Sequence, residues 1–307
     1  MTLGNRRFQL INVVGVPSSA GSYSAGQEQA PAALRSAGLI EVLTGAGHDV
    51  RDWGDLTKQT WSPDRGQPFA QNLSQVVQSV HELATAVAVE LVKDERLLIL
   101  GGNCTIALGL CAGFRRAGVE PGLVYIDRHF DLNTPESTTE GALDWMGMSH
   151  ALALEGTAPE LLDVLGPRPL LHSSRLSFLG VDPTQATEWE RAWVEQLPLR
   201  VIPQVDLVQT PSDAAAAARD AVLPGPFAVH VDVDVLDFID APIAENVNGR
   251  NSGPTIEQLE HALAELWHHS DCRAVSIGEL NPVHAAADSG SLQRFIAALG
   301  RALSPLP

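Results

Sequence analysis

Short apolar runs rich in β-branched residues alternate along this chain with longer stretches rich in Ala and Leu, and this alternation restricts the fold more than any other feature. Several of the short runs are apolar at every position, as strands buried on both faces of a sheet must be. The longer stretches have the apolar spacing of helices. The alternation predicts the α/β class, with one doubly wound, mainly parallel sheet of about eight strands and helices on both faces.

The pattern also predicts where each element lies. The predicted strands are 9–16, 49–53, 96–100, 123–127, 176–181, 199–202, 227–234 and 274–279. The predicted helices are 30–44, 72–93, 105–117, 148–153, 186–196, 211–222, 255–268 and 290–303. The stretches 61–68 and 224–226, which contain Pro and Gly, have the length of loops rather than linkers. We therefore expect a single domain over residues 1–307.

The charge of the chain argues against nucleic acid as a partner. With 37 acidic and 20 basic residues the formal net charge is −17, whereas binding to phosphates requires a basic surface. Most of the acidic excess is expected on a solvated surface, but several acids are expected to cluster around a cation. A membrane partner is not expected either, because no apolar run approaches the roughly 18 residues of a membrane-spanning helix.

The cysteine count and the N-terminus favour a cytoplasmic location. Three cysteines, Cys104, Cys111 and Cys272, are an odd number in a large chain, which is more typical of a reducing compartment than of a disulfide framework. Residues 1–8 are polar and basic, and no cleavage site follows an apolar core, so no signal peptide is expected.

The first cluster of chemically informative residues follows the apolar run 123–126. Asp127, His129 and Asp131 are two residues apart from one another, a spacing that places them on one face of an extended chain. Two carboxylates and an imidazole form a ligand set for a divalent cation. The alternative is a polar strand end with one capping acid. We favour the metal site, because two carboxylates at a buried strand end repel each other without a cation.

A second acidic cluster ends another apolar strand. Asp232 and Asp234 share one face of the predicted strand, and burying both without a cation would cost several kcal/mol. His230 precedes this pair, and we interpret it as a core histidine with its own hydrogen-bond partners rather than as a ligand. Ligands of open α/β sheets bind beyond the carboxyl ends of the strands, which is where both clusters lie.

Two further elements also lie at predicted strand ends. Gly101 and Gly102 allow a tight turn before Cys104, but their spacing matches no phosphate-binding fingerprint. Glu279 ends the last predicted strand, where its carboxylate could pair with a planar cationic group of a substrate through two hydrogen bonds. The alternative for Glu279 is a role in helix capping or in a salt bridge.

In chain order these four elements resemble the pattern of the ureohydrolase family, which comprises arginase, agmatinase, formimidoylglutamase and relatives. The family pattern is Gly-Gly-x-His, Asp-x-His-x-Asp, Asp-x-Asp and Glu-x-Asn-Pro, and the resemblance extends over residues 15–282. It implies an arginase-like fold, a homo-oligomer (trimer or hexamer) and a small-molecule substrate. The implied reaction is hydrolysis of a C–N bond in a guanidino or amidino group, that is, in a linear amidine.

The resemblance also implies a dinuclear metal centre with two divalent cations, usually manganese. The implied ligands are Cys104, Asp127, His129, Asp131, Asp232 and Asp234. Asp127 and Asp232 would bridge the cations, and a metal-bridging hydroxide would be the nucleophile. Asp131 would also orient this hydroxide, and Glu279 would hold the cationic group of the substrate.

The chain departs from the family pattern at two positions near the reacting atoms. Cys104 stands where the family has a His; a thiolate can ligate manganese, nickel, iron or zinc but is a softer ligand. In this respect the chain is similar to the branch that hydrolyses Nω-hydroxyarginine. Asp144 stands where arginases have a His that transfers protons, so we assign it a catalytic role.

A third departure concerns the substrate. The positions that match substrate-binding residues of the family are Asn133, Thr138, Glu140 and Asp182. Glu140 replaces a Ser that helps arginases to bind the α-carboxylate, so L-arginine is not the expected substrate, unless a cation such as Arg128 or Arg250 neutralises Glu140. The loops expected to shape the pocket are 21–29, 135–145, 182–188 and 238–253.

Two other classes of function compete with this interpretation. One is a catalytically retired protein of the same fold that acts as a ligand-binding or interaction scaffold. The other is a thiol-based catalyst with Cys104 as nucleophile. We favour the metal-dependent enzyme over the scaffold because this chain has an acid at every acidic position of the family's ligand set. We favour it over the thiol catalyst because surrounding carboxylates raise the pKa of a thiol.

Overall fold

The computed structural model describes residues 10–91, 95–246, 251–286, 288 and 290–305, and these residues form one eight-stranded sheet flanked by helices. The strands are β1 (Leu10–Gly15), β2 (Asp49–Asp55), β3 (Arg96–Leu100), β4 (Gly122–Ile126), β5 (Leu176–Val181), β6 (Arg200–Pro203), β7 (Phe227–Asp232) and β8 (Cys272–Gly278). Their order is β2-β1-β3-β8-β7-β4-β5-β6, and every adjacent pair is parallel. The predicted α/β class and strand number are confirmed.

The helices confirm most of the predicted pattern and add to it. They are α1 (Ala30–Ser36), α2 (Leu39–Gly45), α3 (Leu73–Leu91), α4 (Ile106–Arg116), α5 (Gly147–Leu152), α6 (Pro159–Leu165), α7 (Glu188–Gln196), α8 (Gln204–Gln209), α9 (Pro211–Val222), α10 (Ile256–Trp267), α11 (Pro282–Ala285) and α12 (Ser291–Ala302). The predicted helix 30–44 is two helices, because Gly38 adopts φ 95° and a left-handed residue ends a helical run. Residue 9 of the first predicted strand and residues 92–93 of the predicted helix 72–93 lie outside the described residues.

Alternate residues of the central strands supply two separate apolar cores. On β4, Leu123 and Tyr125 pack in one core, whereas Val124 and Ile126 pack in the other. This is the two-residue period of a strand that is covered on both faces. The continuous apolar runs of the sequence therefore reflect helices packed on both sides of the sheet. Within the described ranges, no helix combines the length and the apolarity needed to cross a membrane.

The strand order brings the four strands of the candidate site side by side. β3, β8, β7 and β4 are consecutive at the centre of the sheet, and parallel pairing places their carboxyl ends along one edge. Two residues at this edge adopt positive φ angles although they are not glycines: Asp131 has φ 51° and Glu279 has φ 63°. Such conformations are uncommon for residues with a Cβ and cluster at functional sites.

Candidate metal centre

The acids after β4 and β7 converge, but not by the extended geometry that their spacing suggests. β4 ends at Ile126, and β7 ends at Asp232 and is followed by a 3₁₀ turn, Val233–Val235. The prediction that strand periodicity aligns these acids is therefore wrong, since the strands stop earlier. Turns bring the side chains together instead: the Asp234 amide donates to Oδ1 of Asp232 at 2.7 Å, and the His129 amide donates to Oδ1 of Asp127 at 2.7 Å.

Two groups of potential metal ligands result, and they share one carboxylate. Asp127, His129, Asp232 and Asp234 offer ligand atoms that all lie within 4.8 Å of one another. Nδ1 of His129 is 3.2 Å from Oδ1 of Asp127 and 3.3 Å from Oδ2 of Asp234. The second group consists of Cys104, Asp127 and Asp131, whose ligand atoms also lie within 4.8 Å of one another. The sequence-predicted ligands are all in these two groups, and the shared Asp127 makes them adjacent.

The polar atoms of these groups fit divalent cations. Oδ2 of Asp127 is buried and has no hydrogen-bond partner among the described residues. Oδ1 of Asp234 is likewise without a hydrogen bond there, and Nε of Arg128 lies 4.0 Å from it. A buried carboxylate oxygen without a donor is costly, and a cation would satisfy it. Carboxylates, one imidazole and one thiol form a donor set that suits manganese, iron, nickel or zinc.

The electrostatics of the protein alone also indicate a missing positive charge. Burial, followed by the charges of Asp234 and Asp127, raises the pKa of Asp232 well above its usual value. Burial and the charge of Asp127 do the same to the pKa of Asp131. Burial tends to lower the pKa of His129, but Asp234 and Asp127 raise it to about 9. Carboxylates held this close avoid repulsion either by keeping a proton or by binding a cation.

Cys104 belongs to the second group and lies in the turn between β3 and α4. Its backbone amide donates to Oε1 of Glu279 at 2.9 Å, and its thiol donates to Oδ2 of Asp232 at 3.2 Å. Burial, followed by the charges of Asp232 and Glu279, raises the pKa of this thiol well above its usual value. His230 contacts the sulfur, with Nε2 at 3.2 Å, and burial lowers the pKa of His230 to about 3, so the ring is neutral.

A cavity of about 270 Å³ opens above the ligand groups. Its acidic lining residues are Asp131, Asp144, Glu190, Asp232, Asp234 and Glu279. Its aromatic lining residues are Tyr23, Phe130 and Trp145. Of the residues that the structure describes, neither Lys nor Arg lines the cavity. A pocket with this lining attracts cations and repels anions.

The residues that the family resemblance assigned to proton transfer or to substrate binding divide into two sets. Asn133 and Asp144 line the cavity. Burial raises the pKa of Asp144 to about 8. Thr138, Glu140 and Asp182 are not among the described lining residues. Glu140 is exposed, and Asp182 accepts hydrogen bonds from Thr184 at the start of a 3₁₀ turn.

Of the two arginines considered as neutralising partners of Glu140, only Arg128 lies among the described residues, and its hydrogen bonds lie elsewhere. Arg128 is buried and donates to the backbone carbonyls of Asp234, Leu236 and Ser252. Its guanidinium therefore holds the turn after β7. Arg250 lies outside the described residues.

The four predicted pocket loops all contribute lining residues, but apart from Asp144 the individual lining residues of these loops were not predicted. Tyr23, Trp145, Gln185 and Asn246 each come from a different one of these loops. Gln27, from the first loop, donates from Nε2 to Oε2 of Glu279 and has an unpartnered Oε1. These side chains belong to no motif, and only the positions of their loops between predicted elements pointed to them. Residues 247–250 of the fourth loop are outside the described ranges.

Comparison with known proteins agrees with this arrangement. The sequence model of the arginase family matches residues 9–300. Human arginase-1 is 34% identical over 182 residues, which is 58% of this chain and 56% of that protein, so the chain matches about half the length of this relative. The arginase of Bacillus caldovelox is 26% identical over 283 residues, which is 89% of this chain and 91% of that protein.

The solved structures show the same fold. The native structure of Bacillus caldovelox arginase superposes with a TM-score of 0.82 at 23% identity and covers 95% of this chain and 97% of that one. Proclavaminate amidino hydrolase from Streptomyces clavuligerus superposes with a TM-score of 0.69 at 17% identity and covers 97% and 92% of the two chains. Fold, ligand groups and the extent of the family match lead to one conclusion: this chain belongs to the arginase family.

Proposed function

We propose that the protein is a dinuclear metal-dependent hydrolase that cleaves a C–N bond in a guanidino or amidino compound other than L-arginine. One observation carries the proposal. Two ligand groups that share Asp127 lie at the base of a cavity whose described lining contains six carboxylates and no Lys or Arg. Membership in the arginase family, and the likeness to an amidino hydrolase, support this reaction class.

The cations would be held by the residues of the two groups. The proposed ligands are Cys104, Asp127, His129, Asp131, Asp232 and Asp234. Manganese is the proposed metal, and nickel, iron or zinc are alternatives because of the thiol. When bound, two divalent cations lower the pKa of water towards neutrality and so supply a hydroxide nucleophile.

Three carboxylates would perform the remaining steps. Asp131 accepts a hydrogen bond from the Tyr125 hydroxyl, which fixes the carboxylate that we assign to orienting the attacking water. Glu279 would attract the planar cation of the substrate. Asp144 lines the same cavity, and its pKa of about 8 allows it to hold a proton near neutral pH and to donate it to the departing amine.

The substrate class can be tested by competition between related compounds. We expect kcat/KM for agmatine or a simple guanidine to exceed that for L-arginine and Nω-hydroxy-L-arginine by roughly tenfold or more, because the lining acids outside the two ligand groups repel an α-carboxylate. Release of urea or hydroxyurea would be measured with manganese, nickel, iron and zinc. If L-arginine or its hydroxylated form is the best substrate with every metal, the proposed specificity is wrong.

The metal content of the purified protein separates the enzyme from the scaffold. A content of about two metal ions per chain supports the enzyme, whereas a metal-free protein supports the scaffold alternative.

A matched pair of variants locates the source of this preference. At about pH 9, above the pKa of about 8 of Asp144, Asp144→Asn removes a buried charge that lines the cavity, whereas Glu140→Gln removes an exposed charge outside its described lining. We expect the first to raise kcat/KM for L-arginine relative to agmatine and the second to leave the ratio within about twofold, because a solvated charge is strongly screened. A larger effect of Glu140→Gln would place Glu140 at the substrate.

Replacing Cys104 by His tests whether the thiol selects the metal. The Cys104→His variant should keep its metal, and its preference should shift by about tenfold or more from zinc and nickel towards manganese, because imidazole is a harder ligand than thiolate. The measurement is competitive metal loading followed by elemental analysis. Complete loss of metal would show that position 104 is not a ligand position.

The remaining proposals concern the state of the protein in the cell. We propose a cytoplasmic homo-oligomer, either a trimer or a hexamer. Family membership supports the assembly. The three cysteines are all free and buried, which is compatible with a reducing compartment.

A further inference from the structure

Cys104 lies in a continuous row of buried polar side chains that starts on β8 and ends in the ligand groups. Nδ1 of His230 is 2.9 Å from the Ser276 hydroxyl, and Nε2 of His230 is 3.2 Å from Sγ of Cys104. The same sulfur is 3.2 Å from Oδ2 of Asp232. Ser276 and His230 have no exposure, Cys104 has 1% and Asp232 has 3%. The protein must therefore satisfy these four polar groups without help from solvent.

Hydrogen-bond chemistry gives the row a direction. Asp232 only accepts in its ionised form, which is the form that can bind a cation, so in that form the Cys104 thiol donates to Asp232. The sulfur can then accept from an N–H on Nε2 of His230. A neutral imidazole that carries its hydrogen on Nε2 accepts at Nδ1, where the Ser276 hydroxyl is the donor. With this one arrangement, each donor of the row has an acceptor.

The His230 ring is also fixed by packing. Tyr125 stacks on it, with ring centroids 4.9 Å apart and an angle of 19° between the planes. On β8, the absence of a side chain at Gly278 leaves room for the ring, since a Cβ there would lie 2.9 Å from Cε1 of His230. The imidazole therefore has little freedom to turn its Nε2 away from the sulfur.

We propose that His230 is a positioning residue for the metal centre, which donates from Nε2 to Sγ of Cys104 and directs the sulfur towards Asp127 and Asp131. This inference rests on the proposed function, because the sulfur requires orientation only if it is a ligand. When a cation replaces the thiol hydrogen, the His230 N–H remains as a donor to the sulfur and offsets its charge beside the carboxylates. Ser276 holds His230 in the required tautomer.

Two amide variants of similar polarity separate this role from a merely structural one. In His230→Gln the side-chain amide can occupy the position that Nε2 of His230 has in the wild type. In His230→Asn the shorter side chain brings its amide only as far as the position of Nδ1. With Co²⁺ as the probe, we expect wild type and His230→Gln to share a thiolate-to-metal charge-transfer band and a similar affinity. His230→Asn should bind Co²⁺ at the sulfur-containing group about 10–100-fold more weakly. Its band should move to longer wavelength, because the sulfur has lost its donor.

The outcomes also separate this inference from the proposed function. An unchanged band and affinity in folded His230→Asn would overturn the role of His230. Wild-type protein that binds Co²⁺ without a thiolate band would also overturn it but would leave the hydrolase intact, since the group with His129 contains no sulfur. Wild-type protein that binds no Co²⁺ would remove both. If His230→Asn does not fold, Ser276→Ala replaces it: a shifted band supports the proposal, and an unchanged band and affinity contradict it.

Discussion

Asp232→Asn is expected to abolish metal binding and hydrolysis together. The carboxylate belongs to the buried ligand group, and its two oxygens already accept from the Asp234 amide and the Cys104 thiol. An Asn can keep the first contact, but it then directs an NH₂ group at the sulfur and has no charge for a cation. We expect the metal content to fall from about two per chain to well below one, and kcat/KM for agmatine to fall by about 10³ or more. Elemental analysis and initial rates would measure both.

Asp237→Asn is the matched control for this variant. Asp237 follows the same strand by five residues, and its Oδ1 accepts from the Ile239 amide at 2.9 Å in an ordinary turn. It is in neither ligand group, so this variant should keep its metal and its activity. Normal activity and metal content in Asp232→Asn would contradict the dinuclear centre. Equal losses in both variants would indicate general damage to the fold.

Glu279→Gln should reduce turnover strongly while the metal stays bound. Glu279 lines the cavity but is in neither ligand group. If its negative charge holds the cationic substrate, removing one partner of that buried pair costs about 3–5 kcal/mol, which lowers kcat/KM for agmatine by about 10²–10⁴. The fold should accept the change. Gln at 279 can still accept from the Cys104 amide, and Gln27 can flip so that its unpartnered Oε1 accepts from the new NH₂ group.

Glu245→Gln is the control for that experiment. Glu245 is another buried glutamate of the same edge, where it accepts hydrogen bonds from Ser24 and Asn281, and it is not among the described lining residues. We expect its kcat/KM to stay within about threefold of wild type, because Glu245 is outside the described lining and its charge is therefore farther from the substrate than that of Glu279. Retained activity in Glu279→Gln with normal metal content would exclude Glu279 from substrate binding.

The parts of this structure that follow from local patterns were predictable from the sequence. The six inner strands arise from largely apolar runs, and the acids at 127, 131, 232 and 234 lie at or just past strand ends, where parallel pairing must bring them to one edge. Their exact alignment was not predictable, because it depends on turns such as the 3₁₀ segment Val233–Val235. The sequence did not predict the break of the first helix at Gly38. The apolar periodicity continues across Gly38, whereas the helical conformation of the backbone does not.

Long-range contacts and loop paths were beyond the reach of the sequence. His230 was correctly expected to be buried, but its contact with Cys104 joins residues 126 positions apart, which no local pattern encodes. Glu140 was matched to a substrate position by counting residues from Asp131, and the count gives no information about the path of the loop between them. In the structure, the path of this loop leaves the side chain of Glu140 exposed. Loops vary in path more than the strands that carry them.

The position of β8 has a consequence for synthesis of the protein on the ribosome. β8 comes last in sequence among the described strands, yet it lies between β3 and β7 at the centre of the sheet. Until it emerges, β3 and β7 have unpaired edges, which are prone to pair with other chains. The contact between the Cys104 amide and Glu279 spans 175 residues and cannot form earlier. A nascent chain would therefore need protection from aggregation until β8 has been translated, and the complete site could be loaded with metal only after that.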